Sequence, residues 1–169
     1  MYRTLFFQAI ALTFLLLSPI KNASAEEKLL SYKTMSADLA LKAATAAMKS
    51  CREQGYQVSV AVVERGGATQ VILRDDLAGI LTPDVAIRKA MTALNFKTST
   101  QDLVEPTSSG RPASGLRQLP GTIFVGGGIR IEAGGVTVGA MGISGAPDPD
   151  IDDACALAGI EAVVDILDF

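Results

Sequence analysis

Two rhythms of apolar and polar positions alternate along this chain, and they lay out its elements before any chemistry is considered. From Met35 to Gln54 the period is helical, with Ala40, Ala43, Ala44, Ala47 and Cys51 on one stripe. Ser36 is placed to cap that helix, Asp38 lies in its first turn, and Gly55 suits the position just past its end. Alanines in the stripe predict close packing against a sheet or another helix. The period then drops to two. Tyr56, Val58, Val60 and Val62 face one way, and Gln57, Ser59 and Ala61 the other. Glu64-Arg65-Gly66-Gly67 reads as a hairpin turn, and Ala68 to Arg74 as the returning strand.

A second helix follows the polar break "RDDLAGILTPD". Thr82 is its expected N-cap, Pro83 its first residue, and Val85, Ile87, Met91 and Leu94 its apolar positions, with Arg88 and Lys89 between them. It should end near Asn95, with a shorter helical piece after Ser99. Pro106 to Pro120 reads as a loop, long for a small domain and therefore functional or mobile. Three strands are then expected: Thr122 to Val125, Ile129 to Ala133 and Val136 to Ser144. Gly126-Gly127-Gly128 bends the chain and Gly134-Gly135 makes a two-residue hairpin turn. A last helix starts at Pro149, with Asp150, Asp152 and Asp153 in its first turn, where the helix dipole favours acids. Hairpins separated by helices predict an α+β domain: an antiparallel sheet of about five strands with helices packed on it.

The N-terminus follows a different pattern. Arg3 precedes an apolar run from Leu5 to Leu17, shorter than the roughly 20 residues that span a bilayer as a helix. Ala23-Ser24-Ala25 then supplies the small residues of a signal-peptidase site. Residues 1–25 are therefore expected to be a signal peptide and residues 26–169 a single exported domain, periplasmic or secreted. The leader carries Arg3 and Lys21 and no acid, so its loss makes a chain of net charge −3 more acidic still. Such a chain offers no basic stripe to nucleic acid. Glycines and charges interrupt every later apolar run, so no membrane span is expected in the mature chain.

Cys51 and Cys155 are the only cysteines. They can form a disulfide, hold a metal, or stay as separate buried thiols. Export favours the bridge, and two thiols with no histidine in the chain make a poor metal site. If the first and last helices pack antiparallel on one face, the two cysteines approach each other.

The glycines of "FVGGGIRIEAGGVTVGAMGISG" do not make a nucleotide loop. A dinucleotide fingerprint runs from a strand into a helix N-terminus, whereas this triple glycine runs into another strand. Gly139 and Gly142 fall inside a strand, where glycine marks the close approach of a ligand or of another backbone. Both readings stay open.

Four segments together, "VSVAVVERGGATQVILRDD", "DVAIRKAMTA", "LPGTIFVGGGIRI" and "GGVTVGAMGISGAPDPDIDDACALAG", resemble the GlcG/HbpS family of small haem-binding or haem-degrading-type domains, related to the C-terminal domain of PduO-type proteins. The resemblance covers about Leu39 to Ile166. It implies a profilin-like αβα domain, assembly into homo-oligomers, and a small-molecule site between the sheet, the helix after "RDD" and nearby loops. Members of that family are linked to haem, cobalamin-related and glycolate-related systems; a cysteine in the first helix with "DACA" in the last accompanies those labelled haem-binding, so haem is the cofactor the resemblance implies. The chain has no histidine, the commonest protein ligand to haem iron. Met91 and Met141 are assigned to the core, so no iron ligand is named.

Cations are the clearest pointers to an anionic ligand, because they hold carboxylates through charge-assisted bonds. The expected contacts are Arg74, Asp75, Lys89 and Arg111, with the bare backbone of Gly126 and Gly127 beside them. Arg74, Asp75 and Lys89 can equally form a structural ion-pair network at a sheet corner. No nucleophile with an adjacent base is visible. Three functions stand: an exported carrier, scavenger or sensor of haem or a related tetrapyrrole; an enzyme acting on haem or a small metabolite; and a ligand-free structural oligomer.

Overall fold

The structure, a computed structural model, describes residues 30–167. The expected leader lies outside them. Helix α1 spans Ala37–Glu53, and the Ser36 hydroxyl accepts the Leu39 amide as the predicted cap. Gly55, at φ +85°, carries the chain out of the helix. Strands β1 (Ser59–Glu64) and β2 (Thr69–Arg74) form the first hairpin. Helix α2 runs Thr82–Phe96, one residue earlier at its start than expected, with Leu81 at the cap. Strands β3 (Gly128–Ala133) and β4 (Val136–Ser144) form the second hairpin. Its turn is Gly134-Gly135, both at positive φ as a type I′ turn requires. Helix α3 (Pro149–Glu161) and a one-turn α4 (Val164–Leu167) close the chain.

The sheet has four strands in the order β2-β1-β4-β3, all antiparallel neighbours. The expected fifth strand, Thr122 to Val125, does not form. Side chains of α2 take that segment instead: Arg88 donates to the Thr122 carbonyl at 2.8 Å, and the Ile123 amide donates to the Thr92 hydroxyl at 2.9 Å. The segment after Ser99 makes turns rather than a helix. Pro106 to Pro120 is a string of turns containing a short 3-10 helix, Ser114–Gln118.

Alternation along the strands sends opposite residues to two layers. Val58, Val60, Val62, Met141 and Ile143 join the main core with α1 and α3. Val63 and Ala140 face α2, with Ala90 and Ala93. The alanine stripe of α1 is wholly buried, and Gly159 lets α3 approach it, since a Cβ there would stand 2.5 Å from that of Ala47. Cys51 and Cys155 are bridged across this helix pair, with Cα atoms 5.5 Å apart. The bridge closes a sequence separation of 104 residues, which stabilises the fold by about 4–5 kcal/mol in the chain-entropy model.

The α2 face is built differently. Its sheet surface is made of small residues, and at Gly142 a Cβ would stand 2.0 Å from the Ala86 carbonyl oxygen and 2.7 Å from the Ala90 amide nitrogen. The helix backbone therefore rests on the bare strand. Of the two readings of Gly142, close approach of another backbone is the one found.

Candidate functional site

The six residues expected to touch a ligand fall in three places. Lys89, Gly126 and Gly127 come together in the interior. The Lys89 ammonium donates to Asp152 at 2.8 Å and to the Ile143 carbonyl at 2.9 Å, and both side chains of the pair are 4% exposed. Gly127, at φ +109°, packs against this pair and donates its amide to Asp153 at 2.5 Å. A side chain at Gly126 would collide with Gln101 and Asp153. Burial pushes the Asp152 carboxyl above the ordinary aspartate range, the Lys89 charge pulling part of that back, and burial likewise raises Asp153. This node ties α2, β4, the glycine bend and α3 together.

Asp75 lies elsewhere. It is buried below β2, accepts from the guanidinium of Arg52 and from the Val58 amide, and raises the pKa of Arg52 through the first of these bonds. Arg74, exposed at the end of β2, donates to the Ala78 carbonyl. The single network of Arg74, Asp75 and Lys89 is thus corrected to separate contacts, because Asp75 meets α1 while Lys89 points under α3. Arg111 is exposed on its loop and paired with Glu105.

A cleft of about 610 Å³ opens at the other end of the sheet, where both hairpin turns and the C-terminus of α2 meet. Its volume lies within the range of roughly 300–1,000 Å³ usual for ligand sites. Met91, Leu94 and Val136 give it an apolar floor, and Arg65, Lys97 and Arg130 stand around it. Each cation is placed by local structure. The turn carrying Arg65 is fastened by Glu64, whose carboxylate accepts from the Ala68 amide at 3.0 Å and the Thr34 hydroxyl at 2.9 Å. The turn amides of Gly66 and Ala68 hold the Glu64 pKa below its ordinary value. The Arg65 guanidinium lies 5.1 Å from the Tyr32 ring centroid, within cation–π range. Lys97 ends α2 in the left-handed conformation, φ 55°. Arg130 comes from β3 and pairs with Glu132 at 2.8 Å, leaving two lining cations without an acid among the lining residues.

Met91 belongs to this cleft. It packs against the core on the α2 side, as expected, and its half-buried side chain also reaches the β1–β2 turn and lines the cleft. Met141 is fully buried, as expected. Arg65 is legible in the sequence only as a turn residue and Lys97 not at all, since no motif marks them and only the fold brings them together.

Residues 32–167 thus form a small α+β domain with helices on both faces of an antiparallel sheet and an amphiphilic cleft at one end. A family model described as "Haem degrading protein HbpS-like" matches residues 35–161, and the chain belongs to that HbpS-like family. It is similar to a double-mutant form of HbpS from Streptomyces reticuli: 38% identity and TM-score 0.77, covering 83% of this chain and 94% of that one. A crystal structure of PduOC in complex with heme shows 27% identity and TM-score 0.72, covering 76% of this chain and 94% of that one. The corrinoid adenosyltransferase PduO of Salmonella typhimurium is 32% identical over 119 residues, 68% of this chain but only 35% of that protein.

Proposed function

We propose that this chain is an exported binding protein for haem or a related tetrapyrrole, acting as carrier, scavenger or sensor, and that the cleft between α2 and the two hairpin turns receives the guest. The observation that carries this reading is the cleft's composition: an apolar floor with three cations around it, on a chain of net charge −3. The residues fit a porphyrin. Leu94, Val136 and the turn glycines offer surface to a flat ring, while Arg65 and Lys97 would hold its carboxylates; bound haem would supply redox-active iron. The heme complex of PduOC, a relative of the same fold, supports the choice of guest. Periplasmic or secreted location is part of the same reading, supported by the signal peptide expected at residues 1–25. Homo-oligomer assembly is part of the same reading, and Leu77, Ile80 and Leu81, 82%, 89% and 74% exposed, offer an apolar surface for it.

Titration with hemin tests the reading. The expected result is a saturable Soret shift near equimolar haem. Replacing both Arg65 and Lys97 by Ala should weaken binding by at least about tenfold, because a charge-assisted bond contributes roughly 1.5–3 kcal/mol. Unchanged affinity would move the site away from this cleft. The family's haem-degrading description favours a second reading, catalysis on haem, which would show as bleaching of the Soret band with reductant and oxygen.

A further inference from the structure

We propose that Met91 is the residue that meets haem iron in this cleft, its thioether sulfur serving as the axial ligand; this rests on the haem reading above. Among the described residues the usual donors are removed one after another, beginning with Tyr32 and Tyr56, which line other clefts. The sequence contains no histidine. Both cysteines are joined in the disulfide and fully buried, so neither offers a thiolate. Met35, Met48 and Met141 are 2%, 6% and 0% exposed. Met91 alone among the described methionines is half-buried and lines the cation-rimmed cleft.

Its surroundings suit a ligand. Met91 leaves the last turns of α2 and extends to Gly67, where a Cβ would stand 3.3 Å from its terminal methyl and 3.7 Å from its sulfur. Gly67, at φ +92°, thus gives the sulfur a neighbour without a side chain. A thioether is a soft donor that binds haem iron in electron-transfer proteins and raises the potential of the metal. It needs no proton removed, whereas the ammonium of Lys97 has no lone pair to give. With three rotatable bonds, Met91 can turn its sulfur toward a ring lying on Leu94 and Val136. Arg65 and Lys97 flank it and are left for the carboxylate edge. The cleft therefore offers a soft axial donor and cationic partners for the propionates within one cavity.

The experiment uses the purified protein with hemin as the probe and compares wild type, Met91→Leu, Met91→His and Met141→Leu. Wild type and Met141→Leu should share one reduction potential, raised by the thioether. Met91→Leu should lower that potential while its Soret titration still saturates. Met91→His should give the spectrum of haem carrying one imidazole. Equal potentials in wild type and Met91→Leu, or no imidazole spectrum in Met91→His, overturn the assignment and leave haem binding standing. Absence of a saturable Soret shift in every variant overturns haem binding and this assignment together.

Discussion

The two ends of the sheet use the same residue for opposite purposes. At one end, Gly126, Gly127, Gly128 and Gly142 are buried, and a methyl group on any of them would strike backbone or the side chains of Lys89, Gln101 or Asp152. At the other end, Gly66, Gly67 and Gly135 sit on turns beside the cleft, and a Cβ on Gly135 would meet nothing within 4 Å. The first set lets a helix and a buried ion pair close on the sheet. The second bends the chain, with only flexible side chains near Gly66 and Gly67 and open space at Gly135. Glycine content in the sequence therefore does not locate a binding site; the partner of each glycine does.

The sharpest test of this contrast is Lys89→Met. It strands Asp152 in the interior and should cost about 3–5 kcal/mol in chemical denaturation. A second change, Asp152→Leu, should recover much of the loss. A small loss from Lys89→Met alone would mean that water reaches this end of the sheet, making it a second cleft rather than a seal.

Paired glycine substitutions come next in size. Gly142→Ala forces α2 off the strand and should cost about 3 kcal/mol, the upper end of what overpacking usually costs. Gly135→Ala only strains a residue at φ +76° and should cost about 1–2 kcal/mol. Equal losses in thermal unfolding would erase the distinction between the ends.

The smallest effect is in acid. Glu64, beside the cleft, has a lowered pKa, so its stabilisation is present above the ordinary glutamate range and is lost as pH falls through the lowered value. Asp153, partly buried at the edge of the Lys89 node, has a raised pKa, so the folded state holds its proton more tightly and stability falls as pH rises past the ordinary aspartate range. Glu64→Gln should flatten the first slope and Asp153→Asn the second, measured by denaturant midpoints across the acid range. Identical slopes in both variants would remove the opposition.

Most of the scaffold was legible in the sequence because it depends on local signals. Ser36 caps α1, the Gly134-Gly135 turn sets the second hairpin, and the alanine stripe of α1 brings Cys51 to Cys155. Thr122 to Val125 was misjudged as a strand because Thr92 and Arg88, about thirty residues earlier, capture its backbone groups. The cleft was illegible for the same reason. Lys89 looked available because its spacing among apolar residues gave no sign of Asp152, while Arg65 looked like an ordinary turn residue. Pairings across such distances are properties of the fold.

The covalent tie between α1 and α3 lies on the sheet face away from α2, and neither of those helices lines the cleft. A reductant would therefore cut a strap behind the platform and leave the groove in front with every wall in place. Its action would register as a protein that melts sooner, while the protein still folded would keep the shape of that groove.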